Sequence, residues 1–327
     1  MNIPETILAA PPDYRAALEQ SAMRDENAAG RMLLRGRDAA NLLHRLSTND
    51  IVSLRPGEGT STVLTTAIGR IIDVLTAYRL DDGLFVTTSF NQGPLVYGLL
   101  KKNIFFNDQV TLEATGRSHG QLALYGPHAT TALEQLAGTS LPDLPLHHHT
   151  EISLAGAPVR VARHEPIGGS GFTLIIPTEH VAAVQTALRA AGVQPLSDEA
   201  FETLRVEQGR GAWGREWSQE YIPLETGLLD AISFSKGCYV GQEIIARMES
   251  RNRLAKKLRG LRLGQPVIAP AKLQVDGKEA GDLTSAVVSP RFGPIALAYV
   301  RTAHAEPGST VSIAGSDVEG EVVELPF

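Results

Sequence analysis

The stretch "STVLTTAIGRIIDVLTAYRLDDGLFVTTS", from Ser61 to Ser89, alternates β-branched or small residues with apolar ones. Two turn signals interrupt it, Gly69-Arg70 and Asp81-Asp82-Gly83, and both contain glycine, which is common in tight reversals of the chain. The pattern predicts a β-meander, in which consecutive strands pair in an antiparallel sheet.

Helix patterns and strand patterns follow one another on both sides of this meander. Residues 11–23 predict a helix started by proline, and Asp38 is expected to cap a second, amphipathic helix. A strand, a turn and a helix succeed one another in residues 119–138 and again in 171–192. Ser197 then caps a further helix. Together these elements predict an α+β fold with antiparallel sheets.

The character of the chain changes after Lys256. Residues 257–327 consist of short apolar runs separated by Gly, Pro and Asp turns, without a helix pattern. Such spacing is typical of a small all-β barrel or sandwich. The sequence therefore predicts a separate C-terminal β domain with a boundary near residue 255.

Length and composition limit the class of protein. With 327 residues the chain exceeds one ordinary core, which favours two or three domains. The net charge of −6 disfavours direct binding of nucleic acid. The N-terminus lacks the basic segment of a secretory signal, and no apolar run approaches the roughly 20 residues that span a bilayer. We therefore expect a cytoplasmic protein without a membrane partner.

The only cysteine of the chain, Cys238, lies in "FSKGCYVGQEIIARM". A single cysteine forms neither an internal disulfide nor a zinc site of several thiolates. Lys236 and a predicted helix just after the cysteine would lower the pKa of the thiol, and Gly237 and Gly241 permit a tight turn. The alternative is a buried structural cysteine.

Basic residues are concentrated after this loop, from Arg247 to Arg262, on a chain that is acidic overall. Such a run can attract a polyanion or an acidic partner, and the alternative is a solvated surface. His147–His149 could suggest a metal site, but three consecutive side chains do not converge on one ion, and no carboxylate or thiol lies at ligand spacing. We expect them in a solvated loop.

Glu207 precedes an open glycine segment that contains Gly209, Gly211 and Trp213. A carboxylate in such a place can accept two parallel hydrogen bonds from an amidine-like ring edge. The alternatives are a glutamate on a helix surface and, for Trp213 and Trp217, residues that only pack.

The run "KGCYVGQE" at 236–243 resembles the signature of the YgfZ family. These are folate-binding iron–sulfur cluster accessory proteins related to the T-protein, the aminomethyltransferase of the glycine cleavage system. Residues 36–54, 204–243 and 280–300 are similar to further blocks of the same family. The resemblance therefore covers most of the chain.

The resemblance implies three domains in a GcvT-like ring around a central channel that binds tetrahydrofolate. The first α+β domain would comprise 1–48 and 117–198, and the second, interleaved with it, 49–116 and 199–255. The second would carry the KGCYVGQE loop, and 256–327 would form the C-terminal β-barrel.

The resemblance also implies site residues. Glu207 matches the T-protein glutamate that holds the pterin edge, and Cys238 would lie at the mouth of the channel with Lys236 as its activator. The cofactor-binding residues implied besides Glu207 are Gly237, Tyr239, Gly241, Gln242, Glu243 and Arg247. No permanently bound metal is expected, since one cysteine cannot hold an iron–sulfur cluster alone.

Three departures from the T-protein pattern favour the accessory branch. T-proteins carry an Asp-Asp pair where this chain has Asp73 and Val74. "EPIGGSGF" at 165–172 replaces a Tyr-Thr-Gly-Glu run, and Gln242 stands where arginine is common. The departures suggest assembly or repair of iron–sulfur clusters, for example in radical-SAM enzymes that modify tRNA, with client enzymes or cluster assembly proteins as transient partners.

Two other functions stay open. One is a folate-dependent aminomethyl transferase or demethylase that uses Asp73 as general base. The other is a folate-binding scaffold in which Cys238 is structural.

Overall fold

The computed structural model describes residues 10–251 and 254–327; the predicted features of residues 1–9 and Arg253 of the basic run lie outside them. The α-helices are α1 Pro12–Glu19, α2 Ala39–Leu46, α3 Gly93–Lys102, α4 Ala129–Ala137, α5 Val181–Ala190, α6 Asp198–Glu207 and α7 Gln242–Arg251. Short 3-10 turns occur at Thr178–His180, Leu229–Ala231 and Thr302–His304.

The strands form two sheets and a barrel. In chain order they are β1 Ala22–Asp25, β2 Ala29–Arg35, β3 Gly59–Thr65, β4 Ile71–Leu80, β5 Gly83–Phe90, β6 Thr111–Ala114, β7 His119–Tyr125, β8 His149–Leu154, β9 Ala157–Ile167, β10 Ser170–Pro177, β11 Gln194–Pro195, β12 Lys256–Leu263, β13 Ala271–Val275, β14 Lys278–Ser289, β15 Gly293–Arg301, β16 Thr310–Ile313 and β17 Glu319–Val323. The predicted combination of α+β sheets with a C-terminal β-barrel is confirmed.

The first sheet has the order β11-β1-β7-β10-β9-β8 and is antiparallel except for the short β1/β11 pair. Helices α4 and α5 cover one face through an apolar core that includes Leu133, Val184 and Leu188. Helices α1 and α6 cover the other face, where Tyr14 packs near Leu204 and Tyr125. The sheet is therefore buried on both sides, and α6 is held against it.

The second sheet has the order β3-β4-β5-β2-β6 and contains the predicted meander as β3, β4 and β5. Helices α2 and α3 cover one of its faces through Leu42, Leu43, Val96 and Leu100. Six strands close the barrel in the order β12-β15-β14-β13-β16-β17. Its interior is apolar and includes Leu273, Leu283 and Ala298.

The predicted division of the chain between the two α+β units needs correction. Strand β2 pairs with β5 and β6, so the chain crosses from the first sheet to the second between Asp25 and Ala29 and not at residue 48. Helix α6 packs on the first sheet, although 199–255 was assigned to the second unit. Both errors arise because the partner strands and faces lie far away in sequence.

The two predicted helix caps have different outcomes. Ser197 Oγ accepts a hydrogen bond from Ala200 N at 3.2 Å, so the cap of α6 is confirmed. The prediction for Asp38 is wrong: its side chain makes no capping bond to α2 and instead accepts from Gln109 N at 2.9 Å. Among the described residues, no helix is long and apolar enough to cross a membrane.

A buried ion pair joins α6, the loop after it and the barrel. Arg205 Nη1 donates to Glu216 Oε2 at 3.1 Å, and the two side chains are 3% and 0% exposed. Thr284 and Ser285 of β14 both donate to Glu216 Oε1 at 2.7 Å. Arg205 also donates twice to Glu202. Each charge therefore has several partners, which offsets the cost of its desolvation.

Arg205→Met leaves the carboxylate of Glu216 buried without its cation. We expect the free energy of unfolding to fall by about 3–5 kcal/mol, as is usual when one partner of a buried pair is removed. The double variant Arg205→Met/Glu216→Met should recover part of this loss, because no unpaired charge remains. Urea unfolding and calorimetry measure both changes.

Arg35→Met is the matched control, since Arg35 pairs with Asp82 at 2.7 Å in an exposed position on the second sheet. It should cost less than about 1 kcal/mol. Equal losses in Arg205→Met and Arg35→Met would show that the buried pair is no more important than an exposed one.

Candidate functional site

Glu207, the last residue of α6, lies in a buried polar site between the first sheet and the barrel. Its side chain is 1% exposed, so the alternative of a surface glutamate is wrong. Tyr14 OH of α1 and Ser289 Oγ of β14 both donate to Oε1 at 2.6 Å. Burial raises the pKa of Glu207, although these two hydroxyls and Arg291 act against the rise.

The second oxygen of Glu207 is left free. Oε2 is buried and has no hydrogen-bond partner in the described part of the chain, and Arg291 Nη1 stands 3.6 Å away, too far for a good bond. An unsatisfied buried acceptor is costly and rare. The sequence had predicted that both oxygens of Glu207 could accept hydrogen bonds from a ligand. In the structure only Oε2 is free to do so, because the hydroxyls of Tyr14 and Ser289 already donate to Oε1.

Asp73 of β4 is a second buried carboxylate, with 0% exposure. Its oxygens accept from Val74 N at 2.9 Å and from Ser89 N at 3.2 Å. Within the described residues it makes no ion pair, and burial raises its pKa to about 6. A carboxylate with such a pKa can accept a proton near neutral pH.

Trp213 connects the chain after Glu207 to the strand of Asp73. Its Nε1 donates to the carbonyl of Ile72 at 3.0 Å, while the residue remains 42% exposed. The sequence had favoured a packing role over a ligand platform for this residue. Its place in the glycine segment six residues after Glu207 is the one signal that could have indicated a position beside the site.

Cys238 is exposed, as the interpretation of a displayed thiol requires. The predicted activator, however, is engaged elsewhere. Lys236 Nζ donates to the backbone carbonyls of His44, Ser47 and Asn49 at the end of α2 and just beyond it. An ammonium has three protons to donate, so none remains for the thiol. Lys236 fastens the loop to α2, and burial lowers its pKa to about 8.

Two other residues of the KGCYVGQE run also fix the shape of the loop. Tyr239 packs into a small apolar core that includes Ile222 and Ile245. Gly241 has a φ of +85°, and a side chain there would lie 2.6 Å from Thr66 O, so only glycine fits. The structural roles of these residues are therefore clear.

The remaining residues of the run are more open. A Cβ on Gly237 would have no neighbour within 4 Å, and Gln242 begins α7. Glu243 and Arg247 form an exposed pair at 2.7 Å, one helical turn apart on α7. Their assignment to a folate site, with that of Tyr239 and Gly241, stays a prediction.

Of the three consecutive histidines, His149 contradicts the prediction of a solvated loop because it begins β8 and is buried, whereas His147 and His148 lie in the loop before β8 and are half-buried. His149 is buried between Arg79 O, 2.9 Å from Nε2, and Arg160 Nη1, 3.0 Å from Nδ1. Burial lowers its pKa to about 4, so it is neutral at pH 7. In the described ranges no three His, Cys, Asp or Glu side chains gather as a metal site would require.

Two cavities lie away from these carboxylates. One of 520 Å³ is lined by residues that include Ile68, Glu225 and Ile244, and another of 840 Å³ lies between the loop at Arg215 and the barrel at Pro270. Beside Glu207, Arg291 Nη1 lies 3.6 Å from Oε2.

Lys236→Met separates the two interpretations of this lysine. If it fastens the loop, the variant loses about 2 kcal/mol of unfolding free energy, since hydrogen bonds from a charged group are lost. The labelling rate of Cys238 by a thiol reagent then stays the same or rises. Slower labelling would instead support activation of the thiol. Arg247→Met, which removes an exposed cation from α7, is the control and should change neither quantity appreciably.

Comparison with known proteins agrees with this architecture. The family model described as "GCVT N-terminal domain" matches residues 8–236. The model described as "Glycine cleavage T-protein C-terminal barrel domain" matches residues 256–327. The crystal structure of glycine cleavage system aminomethyltransferase T from Bartonella henselae has the same fold, with a TM-score of 0.87 at 22% identity over 96% of this chain and 88% of that chain.

Two relatives resemble the chain in sequence as well as in fold. A putative chloroplastic transferase of Arabidopsis thaliana is 34% identical over 299 residues, which cover 91% of this chain and 69% of the relative. An aminomethyltransferase of Streptomyces coelicolor is 30% identical over 336 residues, which cover 96% of this chain and 88% of the relative. The narrower YgfZ assignment stays a prediction. With both domain models matched in order along the chain, the protein belongs to the glycine cleavage T-protein (GcvT) family.

Proposed function

We propose that the protein binds tetrahydrofolate and acts as a folate-dependent one-carbon transferase, with Glu207 as the pterin acceptor and Asp73 as general base. The observation that carries the proposal is the free, buried oxygen of Glu207. This oxygen has no hydrogen-bond donor in the described part of the protein, and an N–H group of a ligand could supply one. The aminomethyltransferase relatives agree with this substrate class.

The residues present fit a folate. A pterin offers a row of N–H donors that matches an acceptor-only carboxylate, and Trp213 offers an exposed aromatic face for the rest of the molecule. When bound, tetrahydrofolate supplies the nitrogen atoms that accept the one-carbon unit. Asp73 would take a proton from the reacting amine, and its pKa of about 6 keeps it mostly ionised at pH 7.

The contacts of Lys236 favour this proposal over the accessory role that the sequence suggested first. A thiol function would be supported by a cation that donates to Cys238, whereas this ammonium donates to three backbone carbonyls at the end of α2 and just beyond it. Asp73, in contrast, has the burial and the raised pKa that proton transfer uses.

The role of Glu207 can be tested by binding. Glu207→Gln keeps the size of the side chain but removes its charge, and we expect the Kd for tetrahydrofolate to rise about 10- to 100-fold. Isothermal titration measures it. Glu199→Gln, an exposed position in the first turn of the same helix, should leave the Kd unchanged. Absence of saturable binding to the unaltered protein would refute the proposal.

Asp73→Asn should abolish proton transfer, with a loss of about 10²- to 10⁴-fold in turnover of an aminomethyl donor with tetrahydrofolate. Because the base must be ionised, activity of the unaltered protein should rise with pH and level off above about 6. Cys238→Ser should keep full turnover. Turnover that depended on Cys238 and not on Asp73 would contradict the assignment.

The same carboxylate affects stability. Its native pKa lies above the ordinary 3.8, so the native state holds a proton that the unfolded chain has released. This contribution to stability is present at low pH and is lost as the pH rises to about 6. In Asp73→Asn this part of the pH dependence should vanish.

A second candidate is the accessory role in iron–sulfur cluster assembly or repair. The observation that favours it is the exposed Cys238 on a loop that Lys236, Tyr239 and Gly241 hold in one shape. Client enzymes or assembly proteins would then meet the thiol transiently. In that case the unaltered protein shows no turnover in the aminomethyl assay, and Cys238→Ser fails to support client enzymes in cells.

A further inference from the structure

The turn between β14 and β15 brings two side chains of the barrel to Glu207. Ser289 Oγ donates to Glu207 Oε1 and accepts the N–H groups of Arg291 and Phe292, each at 3.0 Å. The hydroxyl therefore fixes the turn and the carboxylate together. Tyr14 OH holds the same oxygen from the other side, which prevents rotation of the carboxylate.

Arg291 lies beside the free oxygen without satisfying it. Its Nη1 is 3.6 Å from Oε2, and its guanidinium lies 4.7 Å from the centre of the Phe292 ring. The side chain is 33% exposed, so it can shift outward while the ring still supports it. The result is a hydrogen-bond acceptor, Oε2, and a set of donors, the guanidinium, placed side by side.

An acceptor next to a donor is complementary to a lactam edge, where an N–H stands beside a C=O. A pterin has such an edge at N3 and C4. In a 2,4-diaminopteridine the C4 oxygen is replaced by an amino group, whose protons would point at the guanidinium, and N3 carries no hydrogen, so Oε2 can accept only from an amino group. Two donors facing each other without an acceptor cannot both be satisfied.

We propose that Arg291 is a specificity-determining residue that, with Glu207 Oε2, binds the lactam edge of the pterin. Arg291 would donate to the C4 oxygen, and 2,4-diamino analogues would therefore bind more weakly. The inference rests on the proposed folate site and goes further, since a carboxylate alone can accept from an amino group of either compound. Arg291 adds discrimination because its guanidinium needs an acceptor at C4, where the pterin has an oxygen and the diamino compound has an amino group.

Two fragments without the benzoylglutamate tail test this directly, because they carry no carboxylate that could pair with Arg291. They are 6-methyltetrahydropterin and 2,4-diamino-6-methyltetrahydropteridine, titrated anaerobically. The unaltered protein should bind the pterin at least 10-fold more tightly. In Arg291→Met the affinity for the pterin should fall about 10-fold or more, whereas that for the diamino compound stays the same or rises.

Arg262→Met is the matched control, since Arg262 also lies against Phe292, at 5.7 Å, and forms no ion pair with Glu207 among the described residues. It should leave both affinities unchanged. Melting temperatures of all variants verify that they fold.

Three results overturn the inference. Arg291→Met weakening both fragments equally would mean that Arg291 acts only by its charge or on the fold. No effect on either fragment would mean that it does not contact the ligand. Failure of both fragments and of tetrahydrofolate to bind the unaltered protein would refute the folate site itself, which the other two results leave standing.

Discussion

The buried pair of Arg205 and Glu216 is the constraint on which the site depends. It joins α6 to β14 through Ser285, so the helix and the barrel strand have one fixed relation. Glu207 lies two residues after Arg205, and Ser289 lies four residues after Ser285. The short bond between Glu207 and Ser289 therefore lies about half a helical turn along α6, and four residues along β14, from this junction. An apolar junction could be as stable, but it would fix the register less strictly.

Because of this junction, the two oxygens of Glu207 differ in their hydrogen bonds. Oε1 takes two hydroxyls, from α1 and from β14, while Oε2 takes none. Three segments that are distant in sequence thus make a single acceptor. A site built this way is preorganised, because no group needs to reorient around Oε1 when a ligand arrives. In the proposed folate site the barrel would therefore contribute Ser289 to the binding of the ligand.

Local patterns in the sequence predicted the elements well, but not their partners. The meander and the barrel have alternation and turn residues that act over a few positions. The sheet to which β2 belongs depends on β5 and β6, about 50 to 80 residues later, and the boundary at 48 was wrong for that reason. Likewise the burial of Glu207 depends on Tyr14, and the contacts of Lys236 depend on α2. Residues adjacent in the sequence predict neither the burial of Glu207 nor the contacts of Lys236.

The KGCYVGQE run carries less chemical information than its specificity in sequence suggests. Lys236, Tyr239 and Gly241 are explained by the shape of the loop, and this shape is compatible with a transferase or with an accessory protein. Asp73 distinguishes them better. Its pKa of about 6 means that ionisation near neutral pH costs the fold about 3 kcal/mol. A scaffold that only binds folate gains nothing from such a buried, unpaired carboxylate, whereas proton transfer uses a base whose pKa lies near the working pH. The retained Asp73 therefore argues for the transferase and against a scaffold that only binds folate.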